Sequence, residues 1–367
     1  MQNLKGEFFM KSVLHFLLYF SLSLGILFFI NCNDSNGSHR SGSTTGTISD
    51  ETDETEVLEI QRKIVFYSCR DMYTQIYAVD EDGENLVNLS NSSTDDLAPE
   101  YSPTAGKIAY GSGLMDIMIM DADGSDKIQI TNNGRYNVGP RWSPDEKSIL
   151  FRSILLSNLQ DRKLHIINIE SLEEITLEIS LERPASDYAW FPVYTWSPDG
   201  TQIAYALGSE IFIMNNDGTD ISMIVDIGEI IRSLSWSPDG SKILINTYDI
   251  YPDGIYTINP DGTGLNKLSA DESFNYIAAW SPDGNKIAYI ADVDDYKGLF
   301  IMDKDGNNKQ MVTSPVGYSI AWSPNGNKIA FTTSRDGDSE IYVIDINTSA
   351  LINVTRCGDM DYSPSWH

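Results

Sequence analysis

Positive charge is what this sequence has least of. Its 25 lysines and arginines stand against 53 aspartates and glutamates, a net charge of −28 over 367 residues. A chain this short of clustered cations has no footprint for a phosphate backbone, so nucleic acid is excluded as a partner. Broad contact with anionic lipid is disfavoured for the same reason. Histidine is scarcer still, with four copies. His15 and His39 fall in N-terminal segments treated below, His367 is the last residue, and His165 sits in an apolar, strand-like run where a structural role is simplest. The chain carries no Gly-x-Ser-x-Gly elbow, no glycine-rich phosphate loop and no His or Cys cluster with metal spacing. No catalytic residue, metal or cofactor is therefore assigned. An enzyme here would have to work with carboxylates on loops, as a carbohydrate lyase or hydrolase does.

Long apolar runs are also missing, with one exception. Lys5 and Lys11 precede an apolar stretch from Ser12 to Ile30. A positive flank followed by such a stretch is the pattern of an export signal, expected over residues 1–31, with Met10-Lys11 the more typical beginning. Phe29-Ile30-Asn31-Cys32 resembles a bacterial lipobox, which makes Cys32 the expected lipidation site, although Asn31 stands where a small residue is usual. The alternatives are an uncleaved anchor, since a run of this length can just span a bilayer, and plain secretion. Residues 32–57 are mostly Asn, Ser, Gly, Thr and acids, too polar to bury a core, and read as a leash. The expected location is the periplasm or cell surface, tethered to a membrane by lipid.

From residue 58 to 367 the chain repeats itself. Trp-Ser-Pro begins at Trp142, Trp196, Trp236, Trp280 and Trp322, with Tyr101-Ser102-Pro103 as a variant and Tyr362 to Trp366 as a last copy. Taking Tyr101 first and Trp366 last, the spacings are 41, 54, 40, 44, 42 and 44 residues. That is the period of a four-stranded propeller blade. Within each unit, apolar residues alternate as in Lys286-Ile287-Ala288-Tyr289, the mark of half-buried strands. Asp-Gly pairs such as Asp199-Gly200 and Asp305-Gly306 separate the runs and mark tight hairpins. Second-strand runs begin near Lys63, Lys107, Ser148, Gln202, Lys242, Lys286 and Lys328, which gives seven units. The expected fold is all-β: a single β-propeller of seven four-stranded blades, six being the alternative count. Residues 361–367 should pair with the strand near 63–68 and close the ring, leaving no long open edge.

The repeated Trp-Ser-Pro-Asp-Gly-x-Lys-Ile-Ala and Ile-Tyr-x-Met-Asp patterns resemble the TolB-like propeller family over residues 61 to 367. The resemblance implies the fold. The family's namesake places an α/β domain ahead of a six-bladed propeller, whereas a leash and seven units are read here, so a place in the Tol–Pal system does not follow.

The six repeat tryptophans are most simply packing residues, because each burial removes on the order of 200 Å² from water. Trp190, outside the repeat, and Tyr188 lie in the longest unit, which carries about a dozen residues beyond the usual period, expected in loops near 152–165 and 180–193. They either line a site or plug the fold. Asp121-Ala122-Asp123-Gly124 and Asp303-Lys304-Asp305-Gly306 resemble calcium loops but have Gly fourth and lack the bidentate Glu, so hairpin turns explain them. A different cation site could form where Asp95, Asp96, Asp359 and Asp361 converge. Cys69 and Cys357 should meet in the closing blade and form a disulfide, which export permits; two thiols are the alternative. Loops entering the blades and loops joining their middle strands should open on one face. There stand Arg70, Tyr136, Tyr188, Trp190, Phe274, Tyr276, Tyr296, Tyr318 and Arg335, residue types that anchor contacts. The expected function is non-catalytic binding of an envelope protein, peptide or glycan on that face by a monomer, with the carbohydrate-active enzyme as alternative.

Overall fold

The computed structural model describes residues 63–366, apart from 114–115, 178–192, 249–253, 270–274, 294–295 and 357. The expected signal, Cys32 and leash lie outside the described residues. Among the described residues, twenty-eight strands form seven four-stranded antiparallel sheets. Blade one consists of Asp361–Trp366, Ile64–Ser68, Gln75–Val79 and Val87–Asn88, in that order across the sheet. Blades two to seven occupy residues 96–129, 136–177, 193–226, 230–267, 275–313 and 320–353. The two ends of the repeat thus share a blade, with Ile64 opposite Trp366 and Ser68 opposite Asp361.

The Trp-bearing strands of successive blades touch one another around the axis, while the fourth strands lie at the rim. Each repeat aromatic is buried between blades, from Trp142 to Trp366. Its indole also reaches across. Trp142 Nε1 donates to the Glu100 carbonyl, Trp196 to Arg141, Trp280 to Ser235 and Trp322 to Ala279, all at 3.2–3.3 Å. At these four positions one residue supplies apolar area and also satisfies a carbonyl of the preceding blade, whereas Trp236 contributes the area alone, its Nε1 having no partner among the described residues.

The turn after each tryptophan is built from its own side chains. Ser197 Oγ donates to Asp199 and accepts the Gln202 N–H, Asp199 accepts the Thr201 N–H, and Gly200 takes φ 69°. The same arrangement recurs at Ser237–Asp239 and Ser281–Asp283. At the second hairpin, Asp123 caps Ser125 N–H and Gly124 adopts φ 86°. The Asp-x-Asp-Gly elements are turns. Further along, Ser90, Thr131, Ser269 and Thr355 each accept the N–H of an isoleucine in the third strand of their blade, which ties the path out of the fourth strand to its neighbour.

One expected loop is strand instead. The region 152–165 belongs to a hairpin of Ser148–Leu155 and Asn158–Asn168, longer than its equivalents. Its extra residues continue the pairing past a bulge between Asn158 and Arg162. The other expected insertion, 180–193, lies almost wholly outside the described residues.

Candidate functional site

The Trp-Ser-Pro turns and the Asp-Gly turns between third and fourth strands lie on one face of the ring. The loops entering each blade and those between second and third strands open on the other. The loop face carries Arg70, Tyr136, Tyr276, Tyr296, Tyr318 and Arg335; Tyr188, Trp190 and Phe274 lie outside the described residues.

Two of these side chains occupy matched settings. Arg70 follows the second strand of blade one and lies over the rings of Phe66 and Tyr77, at 5.7 and 4.6 Å. Arg335 repeats this in blade seven over Phe331 and Tyr342, at 5.5 and 5.0 Å. In both loops the next residue, Asp71 or Asp336, accepts the tyrosine hydroxyl. The guanidinium then fastens the strand-entry segment: Arg70 bonds Asp361 at 3.0 Å, and Arg335 donates to the Pro315 carbonyl at 3.0 Å and to Thr313 at 3.2 Å. These arginines hold loops together on the face that they occupy.

Tyr276, Tyr318 and Tyr296 stand on neighbouring blades six and seven. The first two meet edge to face at 5.4 Å. Lys297, not anticipated from sequence, places its ammonium 4.8 Å from the Tyr276 ring and 4.6 Å from that of Tyr318. Arg232 of blade five lies 5.7 Å from the Tyr276 ring centroid and donates to its carbonyl at 3.3 Å. Tyr276 donates its hydroxyl to Asp292 at 2.9 Å, and burial together with that carboxylate pushes the hydroxyl far above its ordinary range. Tyr296, which precedes Lys297 in the same strand, is 64% exposed. Tyr136 begins the first strand of blade three and is likewise raised by burial, with Arg152 opposing.

The four acids considered as a cation site do not act together. Asp361 is taken by Arg70, Asp95 accepts the Thr74 N–H at 2.9 Å, and Asp96 Oδ2 accepts Ser92 Oγ at 2.7 Å. Among the described residues no group of three His, Cys, Asp or Glu is placed to hold a metal ion.

Blade three holds a constellation that no sequence motif announces. Ser153 Oγ is 2.7 Å from His165 Nε2, and His165 Nδ1 is 2.7 Å from Glu174 Oε1. By distance this is a nucleophile, base and orienting acid. Access argues otherwise: Ser153 is 1% exposed and its oxygen already accepts Arg135 Nε at 2.6 Å, with Arg135 paired to Asp161. Burial, then Arg135 and Lys163, push His165 down to about 4, so its imidazole is a weak base at neutral pH. The array is a buried polar network joining strands of one blade.

Residues 192–319 match the TolB beta propeller domain family. Over those residues the propeller is TolB-like. Among solved structures, TolB from Acinetobacter baumannii is similar with a TM-score of 0.53 at 15% identity, over 80% of this chain and 78% of that one. An oligogalacturonate lyase from Vibrio parahaemolyticus reaches 0.62 at 17% identity, over 77% and 86%. A chain of a nidogen/laminin complex gives 0.50 at 10%, over 83% and 97%. At such identities the likeness shows the fold alone, and propellers host unrelated functions. No curated protein sequence matches significantly.

In this propeller, the sequence named aromatic and arginine candidates but not Lys297, Arg232, Ser153 and Glu174. Lysines, serines and glutamates are common in any sequence, and only their partners distinguish these four.

Proposed function

We propose that this TolB-like propeller is an exported, monomeric binding module that recognises a protein, peptide or glycan of the cell envelope through its loop face, without catalysis. The observation that carries the reading is the exposure of Met72, Tyr73 and Tyr296 on that face, beside Arg70 and Lys297. Exposed rings next to cations are the composition of contact anchors, whereas the opposite face is made of Asp-capped turns. Binding to glycan and peptide arrays tests it. Tyr296→Ala should abolish the signal and the turn-face variant Asp217→Ala should not; the reverse pattern sinks the proposal.

A second reading, a carbohydrate lyase or hydrolase using loop carboxylates, draws support from the similarity of fold to the oligogalacturonate lyase. It predicts new unsaturated or reducing ends when the protein is incubated with polysaccharide. Attachment by Cys32 belongs to the same proposal: metabolic labelling with a radioactive fatty acid should mark the protein and fail with Cys32→Ala.

A further inference from the structure

Lys297 is an unusual cation in so acidic a chain. Other lysines of the ring, such as Lys107 and Lys286, lie within ion-pair distance of an aspartate of their own hairpin. Lys297 Nζ has no carboxylate at ion-pair distance among the described residues; its neighbours are the rings of Tyr276 and Tyr318. Its backbone is fixed as well, since its carbonyl accepts the Val316 N–H at 3.0 Å and Ser314 Oγ at 3.2 Å. An ammonium held between ring faces loses little mobility on meeting an anion and is not neutralised beforehand. Arg232, at the same tyrosine ring, adds a second positive charge, while Asp292 is engaged by the Tyr276 hydroxyl.

We propose that Lys297, seated between Tyr276 and Tyr318 with Arg232 behind, is the recognition point for the carboxylate of an acidic glycan, whose sugar ring packs on Tyr296. The inference rests on the loop-face binding reading and gives it a ligand class. A sugar acid offers a carboxylate next to a ring with an apolar face, and the strand that carries this cation also carries an exposed aromatic, Tyr296, one residue before it. An extended peptide would also require main-chain partners from an open strand edge. The edge strand nearest this site, Asn275–Trp280, has its Tyr276 carbonyl already engaged by Arg232, and the fourth-strand edges lie at the rim.

The test uses titration calorimetry with the exported chain and three probes: a uronic-acid tetrasaccharide, its methyl-esterified form, and a tetraglutamate peptide. The acid tetrasaccharide should bind. Esterification should weaken binding at least tenfold, and Lys297→Gln should do the same, with thermal unfolding confirming that the variant folds. Tyr296→Ala should weaken both saccharides. Equal binding of ester and acid, or binding indifferent to Lys297→Gln, overturns the carboxylate site. If Tyr296→Ala still abolishes that binding, the loop-face reading survives without it. Binding of tetraglutamate alone overturns the glycan in favour of a peptide, and absence of binding by all three overturns the inference.

Discussion

Arg70 and Asp361 stand 291 residues apart in sequence and meet at 3.0 Å, with the Asp361 side chain fully buried. The pair fastens the last strand of the chain to the first. Across the same seam the Cys69 N–H donates to the Met360 carbonyl at 3.0 Å. The ring is closed by an ion pair as well as by strand pairing.

Breaking that pair should cost far more than breaking one on the surface. Removing one partner of a buried ion pair leaves the other charged and unsolvated, which costs about 3 kcal/mol or more. Arg70→Met should therefore lower the denaturant midpoint clearly. Lys286→Ala, which removes a half-exposed pair with Asp303, should change stability by about 0.5 kcal/mol. Equal effects from the two variants would show that strand pairing alone closes the ring.

The Cys69–Cys357 disulfide is a proposal, because Cys357 lies outside the described residues. What supports it is the Cys69 N–H···Met360 hydrogen bond, which brings Cys69 beside the chain three residues after Cys357. Non-reducing peptide mapping of the exported protein should recover the two cysteines in one linked fragment. On the chain-entropy model the bond stabilises by roughly 5 kcal/mol, so reduction should lower the unfolding temperature. Separate thiol peptides from the oxidised protein would refute the bond.

His165 should make the fold acid-sensitive. Its folded pKa, about 4, lies below the ordinary 6.5, because burial disfavours the charged imidazolium, and Arg135 and Lys163 add to this. The folded state thus resists protonation. The stability involved is present above pH 6.5 and is lost as pH falls from there toward 4. By the linkage relation its ceiling is about 3 kcal/mol, with Glu174 beside Nδ1 reducing it. Urea titrations at pH 7 and 4.5 should show a smaller pH effect in His165→Gln than in the natural protein. An unchanged pH effect would remove His165 as the cause.

Asp96 works in the opposite sense. It is fully buried, and Oδ1 lacks a hydrogen-bond partner. In blade two it pairs with Ser112 as Asp361 pairs with Ser68 in blade one, but the sequence has a leucine, not an arginine, two residues after Ser112. Burial raises its carboxyl above the usual range, against the pull of nearby serine hydroxyls. A raised folded pKa means that stability is complete below the unfolded value, near 3.8, and declines as pH rises through the folded value. Asp96→Asn should gain stability relative to the natural protein between pH 4 and pH 8. A difference that stays flat across that range would show that Asp96 carries no such penalty.

Much of the fold was legible because its determinants are local. Trp-Ser-Pro or its Tyr variant at a period of 40 to 44 residues in five of six intervals, Asp-Gly turns and alternating strands each report a contact made within a blade or with the next one. Counting them yielded seven blades and the shared closing blade. The candidate site was legible only as a face. Tyr276 and Tyr318 could be named, but not Lys297 between them, since a lone lysine resembles every other surface lysine.

The sequence alone therefore determined the architecture, because a repeat protein encodes nearest-neighbour contacts at a fixed interval and those contacts are the fold. Only the tertiary structure decided which groups do what on the loop face. The ring–cation contacts of Lys297, the closure by Arg70 and Asp361 and the burial of Ser153 with His165 depend on side chains brought together from different strands and blades. Their distances follow from packing in three dimensions, and no period along the chain records them.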